Sequence, residues 1–428
     1  MNNALQITAT DPGTWLIELP WDTPIAHWPT ELLANLPRGI SRHIVRFISQ
    51  NNRIYAVKEI AEEPALHEYE LLETLARDGL PTVVPTAVIS GRTTTEGQPL
   101  PAALITEHLS FSLPYRILLS QQMRPENVLR ALDSLAVLLV RLHMYGFYWG
   151  DVSLSNTLFR RDAGEFSAYL VDAETGEIRD QLSDGMRAYE LELARTNIIG
   201  ELLDLQSGGL LPEEFDTVAI GERIELRYRE LWNELTGEEH FSLDERWRLN
   251  ERIRRLHELG FDVGELAINA TDGMLKIQPK VVDAGHYHRQ VMRLMGLDVE
   301  ERQAQRILNS FATYKLAYPG VSDEMAAHLW MTEVYTPIVQ AIPPELRGKL
   351  EDAQVFHEIL EHRWYMCEQA GHEVPTEQVI EDYISSQLSR HADEAVVIDT
   401  ENMNDDTAIV DDDLVSQPDV GTQDSTVS

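Results

Sequence analysis

The segment Gly150-Asp151-Val152-Ser153-Leu154-Ser155-Asn156 combines residue type and spacing in a way that suits phosphoryl transfer. In D-x-x-x-x-N loops of that chemistry the Asp takes the proton of an attacking hydroxyl, and the Asn holds magnesium beside the phosphates. The pair also has a plain structural explanation, since Asp and Asn side chains bond their own backbone in Asx-turns. Downstream, Tyr169-Leu170-Val171-Asp172 ends an apolar run on a carboxylate, where a second metal ligand is expected. Upstream, strand alternation in Tyr55-Ala56-Val57-Lys58 puts Ala56 and Lys58 on one face. A Lys so placed can pair with ATP phosphates, or simply be solvated. Glu68, in the helical run from Glu68 to Leu75, is positioned to hold Lys58 by an ion pair, with Glu70 as the alternate.

These residues need a scaffold, and the hydrophobic pattern supplies one. Two β-rich runs, Ile44–Ile48 and Arg53–Ile60, flank the turn signal Gln50-Asn51-Asn52. Pro64 begins a helix in which Leu66, Tyr69, Leu72 and Leu75 recur at helical spacing, ended by Gly79 and Pro81. Strands are expected at Val83–Ile89 and Ala102–His108, joined by a loop from Gly91 to Pro101. After Pro125, Leu132, Leu135, Leu139 and Leu142 mark a buried helix that ends near Gly146. Thr157–Phe159 and Tyr169–Val171 read as short strands. From Tyr189 to about Arg390 the chain reads as mainly helical, interrupted by one hairpin at Val263–Asn269 and Met274–Pro279 with an Asp272-Gly273 turn. Residues 1–37, broken by five prolines, read as a loop-rich lead-in.

Bulk properties narrow the classes. The chain has 428 residues, more than one ordinary core holds, so two domains are the default. A net charge of −36 argues against a nucleic-acid partner, which needs clustered Lys and Arg. No stretch approaches the roughly 20 apolar residues of a membrane span. The N-terminus lacks a secretory pattern, so a cytoplasmic location is expected. Cys367 is the single cysteine, which allows no internal disulfide and no Cys-rich zinc framework. From Asp393 to Ser428 there are acidic residues and no Lys or Arg, the composition of a disordered tail.

Gly39, Lys58, Glu68, the hinge-like Thr106-Glu107-His108-Leu109, Leu142-His143-x-x-Gly146, Gly150-Asp151 and Asp172 together resemble the protein-kinase-like fold. Within that fold the resemblance is to bacterial lipopolysaccharide (Kdo/heptose) kinase-like and aminoglycoside-phosphotransferase-like families, over about residues 38–205. The rest, with Gly285-His286-Tyr287-His288, Glu301-Arg302-Gln303-Ala304-Gln305-Arg306 and His357-Glu358-Ile359-Leu360-Glu361-His362-Arg363-Trp364, resembles a bacterial family in which such a domain is fused to a C-terminal domain of unknown function. The resemblance implies ATP and Mg²⁺ as cofactors and Asp151, Lys58 and Glu68 as catalytic residues. It implies Gly39, Arg42, Ala56, Lys58, Thr106 and Glu107 against the nucleotide, and Asn156, Asp172 and Glu174 on the metal.

The departures from that family pattern are specific. The phosphate-covering loop keeps a single glycine in Pro37-Arg38-Gly39-Ile40-Ser41-Arg42-His43, so Arg38, Ser41 and Arg42 are either its phosphate contacts or an exposed basic turn. Trp149-Gly150 replaces the usual His-Arg, which favours a small-molecule acceptor over a protein. Asp172-Ala173-Glu174 replaces D-F-G, and Glu174 is either a further metal ligand or solvent-facing. His357 and His362 are five apart, unlike the i, i+4 histidines of zinc proteases. His286 and His288 are left unassigned, and Ser153 and Ser155 lack a base other than Asp151.

The expected fold is therefore α+β. It comprises the lead-in at 1–37, a β-rich kinase-like N-lobe at 38–109, a helical C-lobe at 110–215, a mainly helical C-terminal domain at 216–391, and a disordered acidic tail at 392–428. The expected activity is ATP-dependent phosphoryl transfer to a hydroxyl of an unidentified small-molecule or glycan acceptor. The alternative is a pseudokinase that binds nucleotide or acts as a scaffold. A protein partner for the C-terminal domain or the tail stays open.

Overall fold

The computed structural model describes residues 4–10, 13–34, 43–119, 125–237, 239–242, 246–258, 261–271 and 274–395. Gly39 and Arg42, the Asp272-Gly273 turn and the tail from residue 396 onward lie outside the described residues.

The N-terminal part is an antiparallel five-stranded sheet with one long helix on it. Strand β1 (Gln6–Thr8) is followed by a short helix α1 (Trp15–Glu18), then β2 (Ile44–Gln50), β3 (Arg53–Ile60), helix α2 (Glu62–Arg77), β4 (Pro85–Ser90) and β5 (Ala102–Glu107), and the sheet order is β1-β4-β5-β3-β2. The β2–β3 hairpin closes on Asn51 and Asn52, both at positive φ (52° and 63°). Asn tolerates this conformation, and two such residues give a turn whose twist matches the strands. Alternation along β3 sends Tyr55 and Val57 to the back of the sheet and Ile60 to the front, against Ala65 and Tyr69 of α2.

Residues 1–37 contribute more than a lead-in. Besides the paired strand β1, Trp15, Trp21 and Trp28 are buried against Tyr55, Val57, Ile89 and Ile105 on the back of the sheet. A Trp buries roughly 150–250 Å², so each provides about 4–6 kcal/mol of transfer free energy. Arg92, fully buried, fastens this segment: its guanidinium donates to the carbonyls of Trp21, Thr23 and Pro101 and pairs with Glu59 at 2.8 Å. The apolar pieces between the prolines are too short to show a period, and only the sheet behind them gives them a partner.

The helical lobe follows. It consists of β6 (Ser112–Pro114), α3 (Tyr115–Leu118), α4 (Pro125–Tyr145), β7 (Phe147–Tyr148), the hairpin β8 (Thr157–Asp162) and β9 (Glu165–Leu170), β10 (Glu177–Ile178), α5 (Asp184–Ser207) and α6 (Thr217–Thr236). Leu132, Leu135, Leu139 and Leu142 of α4 are all buried, as their spacing requires. They share one core with Leu191, Ala194, Ile198 and Leu202 of α5 and with Ile224, Tyr228, Leu231 and Leu235 of α6. The division expected at residue 216 thus falls between two helices of a single core. Periodicity identifies a buried face without saying which core it joins.

Next come β11 (Glu239–Ser242), α7 (Arg246–Glu258), β12 (Phe261–Thr271) and β13 (Met274–Ala284), with sheet order β11-β13-β12. Helices α8 (His286–Met295), α9 (Glu301–Lys315), α10 (Asp323–Trp330), α11 (Thr336–Gln340), α12 (Asp352–Ala370) and α13 (Thr376–Ser386) complete the chain around a second core centred on Trp330, Phe356 and Tyr383. Glu394, inside the segment expected to be disordered, is buried and forms a bidentate pair with Arg161 of β8 at 2.7–3.0 Å. Among the described residues, no helix is long and apolar enough to cross a membrane. The architecture is α+β: a β-rich lobe and a helical lobe, then a mainly helical C-terminal part.

Candidate active site

A cavity of about 630 Å³ lies between the sheet and the helical lobe, within the range of small-molecule sites. Of the residues singled out from the sequence, Ala56, Lys58, Glu68, Thr106, Glu107, Asp151, Asn156, Asp172 and Glu174 all line it. Val45, Val83, Leu104 and Val171 add apolar walls.

Strand alternation turns Lys58 toward this cavity, away from the Tyr55–Val57 face. Its Nζ is 2.9 Å from Glu68 Oε2, 2.8 Å from Asp172 Oδ2 and 3.6 Å from Glu174 Oε2. Burial works against the ammonium, but Glu68 and Asp172 outweigh it and hold Lys58 above its ordinary range. Burial, joined by the charge of Asp172, pushes the Glu68 carboxyl up to about 7 against the pull of Lys58. Glu68 is 1% exposed because it lies on the face of α2 that also carries Ala65, Tyr69 and Leu72, whereas the alternate, Glu70, is exposed. His43, at the start of β2, closes the cluster with a 2.9 Å bond from Nε2 to Glu174.

Asp151 sits on a loop held from two sides. Its Oδ2 accepts from Asn156 Nδ2 at 3.1 Å, and the same amide bonds the Asp151 carbonyl. Gly150 has φ +81°, and a Cβ there would lie 2.9 Å from the Thr175 carbonyl, so glycine lets this loop press against the one that carries Asp172. Thr175 Oγ1 donates to the Trp149 carbonyl, and Trp149 Nε1 donates to the Asp172 carbonyl.

Helix α5 supplies residues that no sequence motif marks. Glu190, fully buried, accepts from the backbone N–H groups of Trp149 (2.8 Å) and Gly150 (2.6 Å) and from His143 Nε2 (2.6 Å). His143 in turn meets the Tyr228 hydroxyl at 2.7 Å. Asn197 Nδ2 donates to the Val152 carbonyl at 3.0 Å and to Asp151 Oδ1 at 3.4 Å. Glu201 accepts from the N–H groups of Leu154 and Ser155. One signal was present: Glu190, Asn197 and Glu201 recur at helical spacing beside the apolar stripe Leu191, Ala194, Ile198 and Leu202.

Among the described residues, Glu68, Asp172 and Glu174 form the cluster whose ligating oxygens lie within 4.8 Å of one another. With the Asn156 amide nearby, these are hard oxygen donors, the kind that suits Mg²⁺.

Comparison with known proteins adds to this geometry. Residues 44–197 match the model of the lipopolysaccharide kinase (Kdo/WaaP) family, and residues 230–388 match a domain of unknown function, DUF4032. Among solved structures, "WaaP in complex with acyl carrier protein" is similar at 16% identity, over 59% of this chain and 99% of that one, with a TM-score of 0.33. No curated protein matches.

Proposed function

We propose, for a chain whose residues 44–197 match the model of the lipopolysaccharide kinase (Kdo/WaaP) family, that it transfers the γ-phosphoryl group of ATP to a hydroxyl of a small-molecule or glycan acceptor in the cytoplasm. The observation that carries this reading is the ammonium of Lys58, held between Glu68 of α2 and Asp172 just past the end of β9. A scaffold has no need to gather these charges with Asp151 and Asn156 around one cavity.

The apolar walls from Val45, Ala56, Val83 and Leu104 suit an aromatic base, with Thr106 and Glu107 at its edge. Lys58 grips the α- and β-phosphates, and Glu68 keeps its side chain extended toward them. Asn156, Asp172 and Glu174 would hold Mg²⁺, which when bound neutralises charge on the β- and γ-phosphates. Asp151 orients the acceptor hydroxyl in line with the γ-phosphorus. The acceptor oxygen bonds to phosphorus as the bridging P–O bond to ADP breaks, and the hydroxyl proton passes to Asp151. The acidic side chains of Glu201 and Asp204 at the same cavity favour an acceptor with hydroxyl or cationic groups over an anionic one.

The rival reading, a nucleotide-binding or scaffolding pseudokinase, draws on the single glycine in Pro37–His43. ATP with Mg²⁺ is expected to raise the melting temperature by linkage, and Asp151→Asn to abolish phosphotransfer while keeping that rise. No rise at saturating nucleotide would favour the scaffold. Labelled ATP incubated with the protein and a cytoplasmic extract would identify the molecule that gains phosphate.

A further inference from the structure

Hairpin β8–β9 joins two of the candidate metal ligands, Asn156 and Asp172. Asn156 immediately precedes β8, Thr157 pairs with Leu170, the N–H of Val171 donates to the Asn156 carbonyl at 3.1 Å, and Asp172 follows. The hairpin therefore sets the spacing of Asn156 and Asp172. A shift or twist between its strands would be felt at both.

The outer side of this hairpin is gripped by the C-terminal part of the chain. Arg160 of β8 pairs through Nη1 with Glu300 Oε1 at 3.0 Å and through Nη2 with Glu351. Tyr169 of β9 donates from its hydroxyl to Glu300 Oε1 at 2.7 Å. Glu300 thus ties one strand to the other from outside. It is also the N-cap of α9, where it and Gln303 form a capping box. The Gln303 backbone N–H donates to Asp162 Oδ1 at 2.8 Å, and its side chain donates to the Arg161 carbonyl. Glu300, Gln303 and Asp162 are 8%, 1% and 4% exposed, so water has little access to replace a lost partner. None of these contacts reaches Lys58, Glu68 or the apolar walls of the cavity.

We propose that residues 286–395 brace the metal-holding end of the site. In this arrangement Arg160, Tyr169 and Glu300 are positioning residues that fix the spacing of Asn156 and Asp172 for a hard divalent cation such as Mg²⁺. The inference rests on the phosphotransferase reading and gives the C-terminal domain a task within it. Loosening the brace weakens the nucleotide–metal complex selectively and leaves the grip on metal-free nucleotide intact.

The test is calorimetric titration of the full chain with ATP, once in the presence of a chelator and once at saturating Mg²⁺. Glu300→Ala is expected to reduce the advantage of Mg·ATP over ATP by about tenfold or more, the usual cost of losing a supporting partner of a metal ligand, with chelated ATP bound as in the wild type. Glu300→Gln, which still accepts from Tyr169, recovers part of the loss. Tyr169→Phe, which removes one hydroxyl, shows the same selectivity and serves if Glu300→Ala does not fold. Equal losses with and without metal, or no loss in variants that melt like the wild type, overturn the inference alone. So does a wild-type chain that binds ATP equally well with and without Mg²⁺. A wild-type chain that binds no ATP overturns the phosphotransferase reading and this inference together.

Discussion

Glu190→Ala would test how the loop that carries Asp151 is held. The carboxylate serves three donors at once, the N–H groups of Trp149 and Gly150 and the Nε2 of His143, in a fully buried setting. An ionised carboxylate can only accept, so Nε2 carries the hydrogen. Alanine strands all three donors, and each unsatisfied buried donor costs about 1–3 kcal/mol. Partial relaxation brings the total to about 3–5 kcal/mol, in line with other broken buried networks. At about 2–4 °C per kcal/mol for a domain of this size, the melting midpoint should fall by roughly 10 °C. Because Asp151 follows Gly150 directly, the loop also shifts, and a displacement of about 1 Å is enough to lower turnover about 100-fold. Glu190→Gln keeps an acceptor for the two amides but turns an NH₂ group toward His143, so its loss is smaller, about 1–2 kcal/mol. Calorimetric melting of the full chain, with phosphotransfer assayed well below the transition, measures both effects. A Glu190→Ala protein that melts within about 2 °C of the wild type and turns over normally would refute the reasoning.

Gly150→Ala places a Cβ 2.9 Å from the Thr175 carbonyl at φ +81°, so it should cost about 1–3 kcal/mol and remove phosphotransfer, as read by melting and turnover. Asp162 is buried, and burial, helped by Glu300, pushes its carboxyl up from 3.8 to about 7. The folded state then binds more protons than the unfolded one between these values, so this group's contribution to stability falls as pH rises through that range. Asp162→Asn should flatten that part of the stability–pH curve, and an unchanged slope in denaturant titrations would exclude Asp162 as its source. Glu394→Ala leaves Arg161 without its bidentate partner and should lower stability by about 1–3 kcal/mol, seen in the denaturation midpoint along with faster proteolysis after Arg390.

Much of the site was legible because its parts lie on regular elements. Alternation in β3 and the helical period of α2 fix where Lys58 and Glu68 point, and the loop motif fixes Asp151 and Asn156 whatever surrounds them. Glu190, Asn197 and Glu201 were harder to read, because a charged residue in a helix gives no sign of the backbone it will meet across space. The same holds for Glu394, which composition assigns to an acidic tail and a single Arg across the chain draws into the fold. The union of α6 with the core of the helical lobe was hidden for a related reason. Ile224, Tyr228 and Leu231 describe an apolar face, and its partner on α4 lies about 90 residues away in sequence.

The packing of the Trp-bearing N-terminal segment limits how the chain can be divided. Cutting before residue 38 would bare the rear of the five-stranded sheet, with Tyr55, Val57, Ile89 and Ile105 facing solvent. It would also strip Arg92 of two of its carbonyl acceptors while leaving its charge in place. A fragment starting at the apparent motif boundary should therefore self-associate through that surface, and any folded fragment of this protein must begin well upstream of residue 38.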